Sequence, residues 1–212
     1  MRKVLIVLAL AAAFAFAVDN VRVEGLSGTP TDDLLQYDDG TPNWIFGGLA
    51  YFGTWFDVTD FMPSATDFSC NYIEMTFYHH PNLPWDTDQL SVELWTGDAA
   101  MPMTQLWQDD ITALHYTAQV FDFDPAIVTG TDFWALGNTT IYSSTGYPSG
   151  LYDAGGNFTG ADHTFGSQDW ILWDPLIPTG ASEGVDFLVR AEGDITAALE
   201  TESWGAIKGL YR

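Results

Sequence analysis

The residues best suited to chemistry in this chain are carboxylates, and they lie in a region without basic partners. Residues 23–189 contain no Lys or Arg and hold 24 of the 29 Asp and Glu residues. A carboxylate there must be solvated, capped by backbone N–H groups or neutralised by a bound cation. The formal net charge of -23 repels nucleic acid, phosphate and acidic lipid surfaces. Neutral sugars, other proteins or copies of itself, and divalent cations remain as expected partners.

One acidic turn has the composition of a cation site. Asp38 and Asp39 precede Gly40, so two carboxylates and a flexible residue share one turn, which can surround a hard cation with oxygen ligands. We therefore predict calcium as the candidate cofactor, with Asp38 and Asp39 as its ligands. The alternative is an ordinary Asp-Gly turn that binds no metal.

The nine tryptophans suit the recognition of carbohydrate. Exposed aromatic rings stack on the apolar faces of sugar rings, while Asp and Asn bind the hydroxyl groups. Trp95 falls on the polar side of an alternating strand pattern, and Trp44 follows Asn43 in a loop. These two residues are the candidate stacking platforms. The alternative is that they belong to the core, as most tryptophans of β-sandwiches do.

Catalytic patterns are not specific in this sequence. Glycoside hydrolysis needs two carboxyl groups that face each other, and among 24 carboxylates in residues 23–189 some pair meets that distance by chance. His79 and His80 are adjacent in a strand pattern and point to opposite faces, whereas His115 and His163 are isolated. No Gly-x-Ser-x-Gly nucleophile motif is present. We predict no catalytic residue and a protein that is not an enzyme.

The elements that must position these residues are strands. Ile73, Met75 and Phe77 alternate with polar or larger residues, and Leu90 and Val92 continue such a pattern in a second segment. This period of two predicts strands with one buried face. The other predicted strands cover 49–58, 117–123, 133–136, 170–173 and 185–191. Seven short strands with little helix predict an all-β, two-sheet β-sandwich of the jelly-roll type.

The chain begins with the features of a secretory signal. Met1-Arg2-Lys3 precedes an apolar run at residues 4–17, which ends in a small-x-small cleavage pattern. We predict a mature protein that starts at Val18 and is secreted or held at the cell surface. No later segment is apolar enough to span a membrane. The predicted divisions are a signal peptide (1–17), a lead-in segment (18–33), a β-sandwich domain (34–194) and a C-terminal tail (195–212).

Four short segments follow one another in a suggestive order along residues 34–194. They are Tyr37-Asp38-Asp39-Gly40-Thr41, the strand pattern 90–95 with Pro102 after it, Asp132-Phe133-Trp134-Ala135-Leu136 and the closing pattern 185–191. Their order resembles the jelly-roll modules of secreted and surface-exposed bacterial proteins. The resemblance implies an extracellular location and an accessory, adhesive or structural role without catalytic activity.

The tail differs in composition from the rest of the chain. Trp204, Ile207 and Lys208 form a Trp-Gly-x-Ile-Lys pattern, followed by Tyr211 and Arg212. This pattern resembles short endings on secreted proteins of the same kind, which implies a sorting or docking segment. The alternative is that the tail is the last strand of the domain.

Three functions are therefore expected, in this order. The first is a non-catalytic extracellular β-sandwich for surface attachment or assembly, either with or without stabilisation by bound calcium. The second is a carbohydrate-binding module, and the third is a secreted glycoside hydrolase. A surface row of tryptophans on one sheet favours sugar binding, two facing carboxylates in a cleft favour catalysis, and an unprotected edge strand favours assembly.

Overall fold

The computed structural model describes residues 33–153, 163–177 and 184–198. Within these ranges the regular elements are β-strands, together with one short 3-10 turn at Val58–Asp60. The strands are β1 (Asp33–Gln36), β2 (Trp44–Ile45), β3 (Tyr51–Asp57), β4 (Ala65–Thr76), β5 (Gln89–Asp98), β6 (Met101–Thr112), β7 (Ala118–Val128), β8 (Asp132–Asn138), β9 (Leu151–Tyr152), β10 (Thr164–Ser167), β11 (Asp174–Pro175) and β12 (Val189–Ala197).

The strands form two main antiparallel sheets. The four-stranded sheet has the order β1-β12-β4-β7, and the six-stranded sheet has the order β11-β10-β3-β8-β5-β6. A separate pair joins β2 to β9. The predicted all-β sandwich is confirmed, whereas its jelly-roll connectivity stays a prediction.

The core is built from alternate residues of the two sheets. Leu90 and Val92 of β5 and Ile73 and Met75 of β4 are fully buried in one hydrophobic cluster, as their period of two predicts. Cys70 of β4 lies in the same cluster, and burial raises the pKa of its thiol. The alternation that fills the core therefore leaves the intervening residues of each strand on the outer faces.

The structure differs from the predicted strands and domain limit at several places. Residues 170–173 were expected to form a strand but lie in a turn between β10 and β11, and the whole of β6 was not predicted. Strand β12 continues to Ala197, beyond residue 194. The predicted signal peptide, the lead-in segment apart from Asp33, and tail residues 199–212 lie outside the described residues.

The edges of the two sheets are protected against pairing with another strand. Strand β7 contains Pro125, and β11 is two residues long and ends at Pro175. Strand β1 has four residues, and β6 contains register shifts that leave Met103 and Leu106 without Cα partners in β5. Short edge strands, prolines and bulges all discourage edge-to-edge association.

No helix in the described ranges is long and apolar enough to cross a membrane.

Candidate functional site

The outer face of the six-stranded sheet carries a row of three tryptophans. Trp55 of β3 pairs with Trp134 of β8, and Trp134 pairs in turn with Trp95 of β5. Directly opposite residues of antiparallel strands share a face, so the three side chains lie side by side. Their neighbours Phe56 and Leu94 are fully buried in the core, which directs this tryptophan row away from it.

The turn between β10 and β11 lays two more tryptophans over this row. The ring centroid of Trp170 is 4.7 Å from that of Trp95, and the ring centroid of Trp173 is 5.1 Å from that of Trp134. Trp134 and Trp173 are buried, whereas Trp95 and Trp170 are partly exposed. The face therefore has a buried aromatic base and an accessible rim, and we call Trp95 and Trp170 the rim tryptophans.

The turn holds Trp170 in a backbone conformation that residues other than glycine rarely adopt. Its φ is 69°, in the left-handed region. The Asp169 side chain accepts hydrogen bonds from the backbone N–H groups of Ile171 at 2.9 Å and Leu172 at 3.2 Å, and Ser167 Oγ accepts one from Trp170 at 3.0 Å. The bonds from Ile171 and Leu172 lower the pKa of the Asp169 carboxyl group. Residues kept in strained conformations by their surroundings often mark functional sites.

A buried carboxylate fixes the edge of the tryptophan row. Glu93 is 3% exposed and accepts hydrogen bonds of 2.7 Å from Trp95 Nε1 and from Asn138 Nδ2. Each of its oxygens therefore has a protein donor, and the indole of Trp95 is oriented by one of them. This carboxylate therefore positions an aromatic ring by hydrogen bonding.

The opposite end of the row stacks on a histidine. The His163 ring lies 5.3 Å from the Trp55 ring and 3.6 Å from the Tyr37 ring, nearly parallel to both. Nδ1 of His163 is 3.1 Å from the Trp55 carbonyl oxygen, and Nε2 is 3.5 Å from Asp60 Oδ2. His163, isolated in sequence, thus joins the aromatic stack as a buried packing residue.

The two predicted stacking residues have different positions. Trp95 points away from the core, as its place in the alternation predicts, and forms part of the rim. Trp44 lies in β2, where it pairs with Tyr152 of β9 and packs against the core. The structure therefore does not bring Trp44 into the tryptophan row, and the role of either residue in sugar binding stays a prediction.

The predicted calcium turn lies in an ion-pair network. The Asp38 side chain is fully buried, and its Oδ1 lies 3.1 Å from Arg190 Nη2 and 2.9 Å from the Gly40 backbone nitrogen. Arg190 Nη1 also contacts Glu74 Oε1 at 3.3 Å. Arg190 is the single Lys or Arg within the described ranges. A distant basic residue thus neutralises the carboxylate that had none nearby in sequence.

Asp39 has a different environment from Asp38. Its side chain is exposed, and Oδ1 accepts a hydrogen bond of 2.6 Å from the Thr41 backbone. Its own N–H donates to Asp153 Oδ2 at 3.0 Å. In the ranges that the structure describes, no group of three or more His, Cys, Asp or Glu side chains is arranged to hold a metal ion. Calcium at Asp38 and Asp39 stays a prediction.

Sequence reasoning missed most of the aromatic face. Trp55 and Trp134 each neighbour a core phenylalanine, so strand alternation alone could have placed them on the outer side. The cross-strand register that aligns them with Trp95 is a long-range property, and no local pattern carries it. No protein-family model, curated protein or solved structure matches this chain.

Proposed function

We propose that this chain is a secreted, non-catalytic β-sandwich that attaches to a surface by binding neutral polysaccharide on the rim tryptophans. The observation that carries the proposal is the tryptophan row, in which Trp95 is partly exposed, with the partly exposed Trp170 packed over it. If the tryptophan row were only a second small hydrophobic core, its rings would be covered, whereas stacking on a sugar needs a ring with one accessible side. The rim supplies such rings, with Trp95 in a strand of the sheet and Trp170 in the turn that packs over it.

The arrangement favours weak, repeated contacts. A well-placed aromatic contact contributes about 1 kcal/mol, so two rings alone contribute about 2 kcal/mol, which corresponds to a dissociation constant of tens of millimolar. Attachment to a polymer compensates for weak single contacts, because many equivalent units surround each bound module. This regime suits an attachment protein better than capture of a free monosaccharide.

The charge of the protein selects the class of polysaccharide. Asp110 lies on the same outer face, is exposed, and accepts a hydrogen bond of 2.7 Å from the Tyr142 hydroxyl group. Because the protein has a formal net charge of -23, it repels polysaccharides that carry uronate or sulfate groups at moderate ionic strength. Neutral chains are therefore the expected ligands.

The other functions have less support. Strand addition at a sheet edge is disfavoured by Pro125, Pro175 and the bulges of β6. For glycoside hydrolysis, the buried carboxylate nearest in register to Trp95 is Glu93, and both of its oxygens are engaged by Trp95 and Asn138. Calcium binding and secretion remain part of the proposal on sequence grounds alone.

The test is binding of the mature protein to a panel of neutral polysaccharides, measured by co-sedimentation with insoluble forms and by calorimetry with soluble ones. Trp95→Ala and Trp170→Ala should each weaken binding about fivefold, equal to about 1 kcal/mol. The matched control is Trp85→Ala, because Trp85 stacks on His79 rather than on the tryptophan row. Unchanged binding in both rim variants, or no binding by the wild type, would reject the proposal.

A further inference from the structure

A bulge in β6 changes which side chains reach the outer face beside Trp95. Leu94 pairs with Trp107 and Trp95 pairs with Gln105, so Leu106 is an extra residue in β6. Both Leu106 and Trp107 pack against the core. In a regular strand one of two consecutive residues points outward, so the bulge alters the alternation at this point.

The consequence is a pair of glutamines on the outer face. Gln105 is the cross-strand partner of Trp95, and Gln108 is the partner of Glu93. Residues three apart in a regular strand point to opposite faces, but the bulge brings these two together, and Gln105 Nε2 donates to Gln108 Oε1 at 3.0 Å. Both residues are exposed. Bulges that redirect side chains are common next to binding sites.

The bond between the two amides leaves complementary groups for a ligand. Gln105 keeps its carbonyl oxygen as an acceptor, and Gln108 keeps its NH₂ group as a donor. Two neighbouring hydroxyl groups of a sugar ring can use both, since each hydroxyl group donates and accepts. The pair is solvent-exposed on an edge strand, where a mutual amide bond adds little to the stability of the fold.

We propose that Gln105 and Gln108 form a subsite that selects sugars with two adjacent free hydroxyl groups, bound at the edge of the unit that stacks on Trp95. This inference rests on the proposed binding of polysaccharide and adds its specificity. Stacking on Trp95 depends little on which sugar is bound. The glutamine pair distinguishes a sugar with two free adjacent hydroxyl groups from one whose hydroxyl groups are methylated. The expected ligand class is neutral pyranose chains whose units keep a vicinal diol.

The experiment measures binding of the mature protein to oligosaccharides of glucose, mannose, galactose and xylose, each compared with its O-methylated form. The wild type should bind at least one free oligosaccharide about tenfold more tightly than its methylated form, the size expected for one or two hydrogen bonds. Gln105→Leu combined with Gln108→Leu should abolish this preference while binding to the methylated form persists. Gln89→Leu, an exposed glutamine on β5 outside the pair, is the matched control and should keep the preference.

The outcomes separate the two proposals. A double variant that still prefers the free sugar, with rim-dependent binding intact, overturns the subsite and leaves the proposed function standing. A double variant that melts like the wild type but binds neither form also overturns the proposed selectivity. The glutamines would then be needed for stacking of the sugar on Trp95 and not for recognition of the diol. A wild-type protein that binds none of the panel overturns both.

Discussion

Removal of Arg190 should expose how the fold tolerates a buried carboxylate. Asp38 has a fully buried side chain that contacts Arg190 at 3.1 Å, and it also accepts a hydrogen bond from Gly40. Arg190→Met keeps most of the aliphatic length and deletes the positive charge. Asp38 would then remain buried with hydrogen bonds but without a counter-ion.

The magnitude follows from the burial of the two partners. Deleting one partner of a buried ion pair costs about 3–5 kcal/mol. The Arg190 side chain is 30% exposed and Asp38 keeps its Gly40 bond, so the lower end, about 3 kcal/mol, applies. For a domain of this size each kcal/mol lowers the melting temperature by about 2–4 °C, which gives a fall of about 6–12 °C.

Thermal unfolding followed by circular dichroism at pH 7 measures this fall. Lys208→Met, which removes one positive charge from the C-terminal segment, controls for net charge alone. Asp38→Asn in the Arg190→Met background should recover part of the loss, since the fully buried position then carries no charge, while Glu74 still lacks its counter-ion. A fall below about 2 °C, or a fall equal to that of Lys208→Met, would refute a dominant role of the buried pair.

Three further predictions test the charges and the tail. Burial raises the pKa of Glu74, with Arg190 opposing it, so the fold favours the protonated acid and loses that stability as pH rises through the folded-state pKa. Glu74→Gln should therefore be more stable than the wild type in urea at pH 7, and this advantage should disappear near pH 4; an advantage that grows on acidification would contradict the sign. Because Arg190 neutralises Asp38, Asp39→Asn rather than Asp38→Asn should reduce any rise in melting temperature produced by millimolar calcium over sodium of equal ionic strength. Equal melting temperatures in the two salts would eliminate calcium. Deletion of residues 203–212 should leave the melting temperature nearly unchanged and abolish surface display or self-assembly; a large fall in melting temperature with normal localisation would instead make the tail a strand of the domain.

Local alternation predicted the strands whose two faces differ most. In β5, Leu90, Val92 and Leu94 are apolar at every second position and pack in the core, and this alternation of polarity is visible without any structure. Strand β6 was missed because Leu106 and Trp107 both face the core, which breaks the period of two. A rule based on strict alternation fails at a bulge, and here the bulge lies beside the candidate site.

The site depends on contacts that are distant in sequence. Trp95 was placed on the outer face by its strand, but its alignment with Trp134 and Trp55 needs the pairing of β5, β8 and β3. The residues 170–173 have the composition of a strand, yet Asp169 caps the backbone of the following residues and closes a turn. Similarly, Asp38 lacked a basic neighbour in sequence but meets Arg190 of β12 in the fold.

The position of Arg190 also bears on how the protein resists proteolysis. Trypsin-like proteases cleave after Lys or Arg, and the chain offers them no such bond between Arg22 and Arg190. Arg190 itself lies within β12, paired on both sides by β1 and β4, with its guanidinium group held by Asp38 and Glu74. Proteolysis requires an extended, accessible segment, which a central strand does not offer. The β-sandwich between Arg22 and Lys208 would thus resist this class of protease until it unfolds.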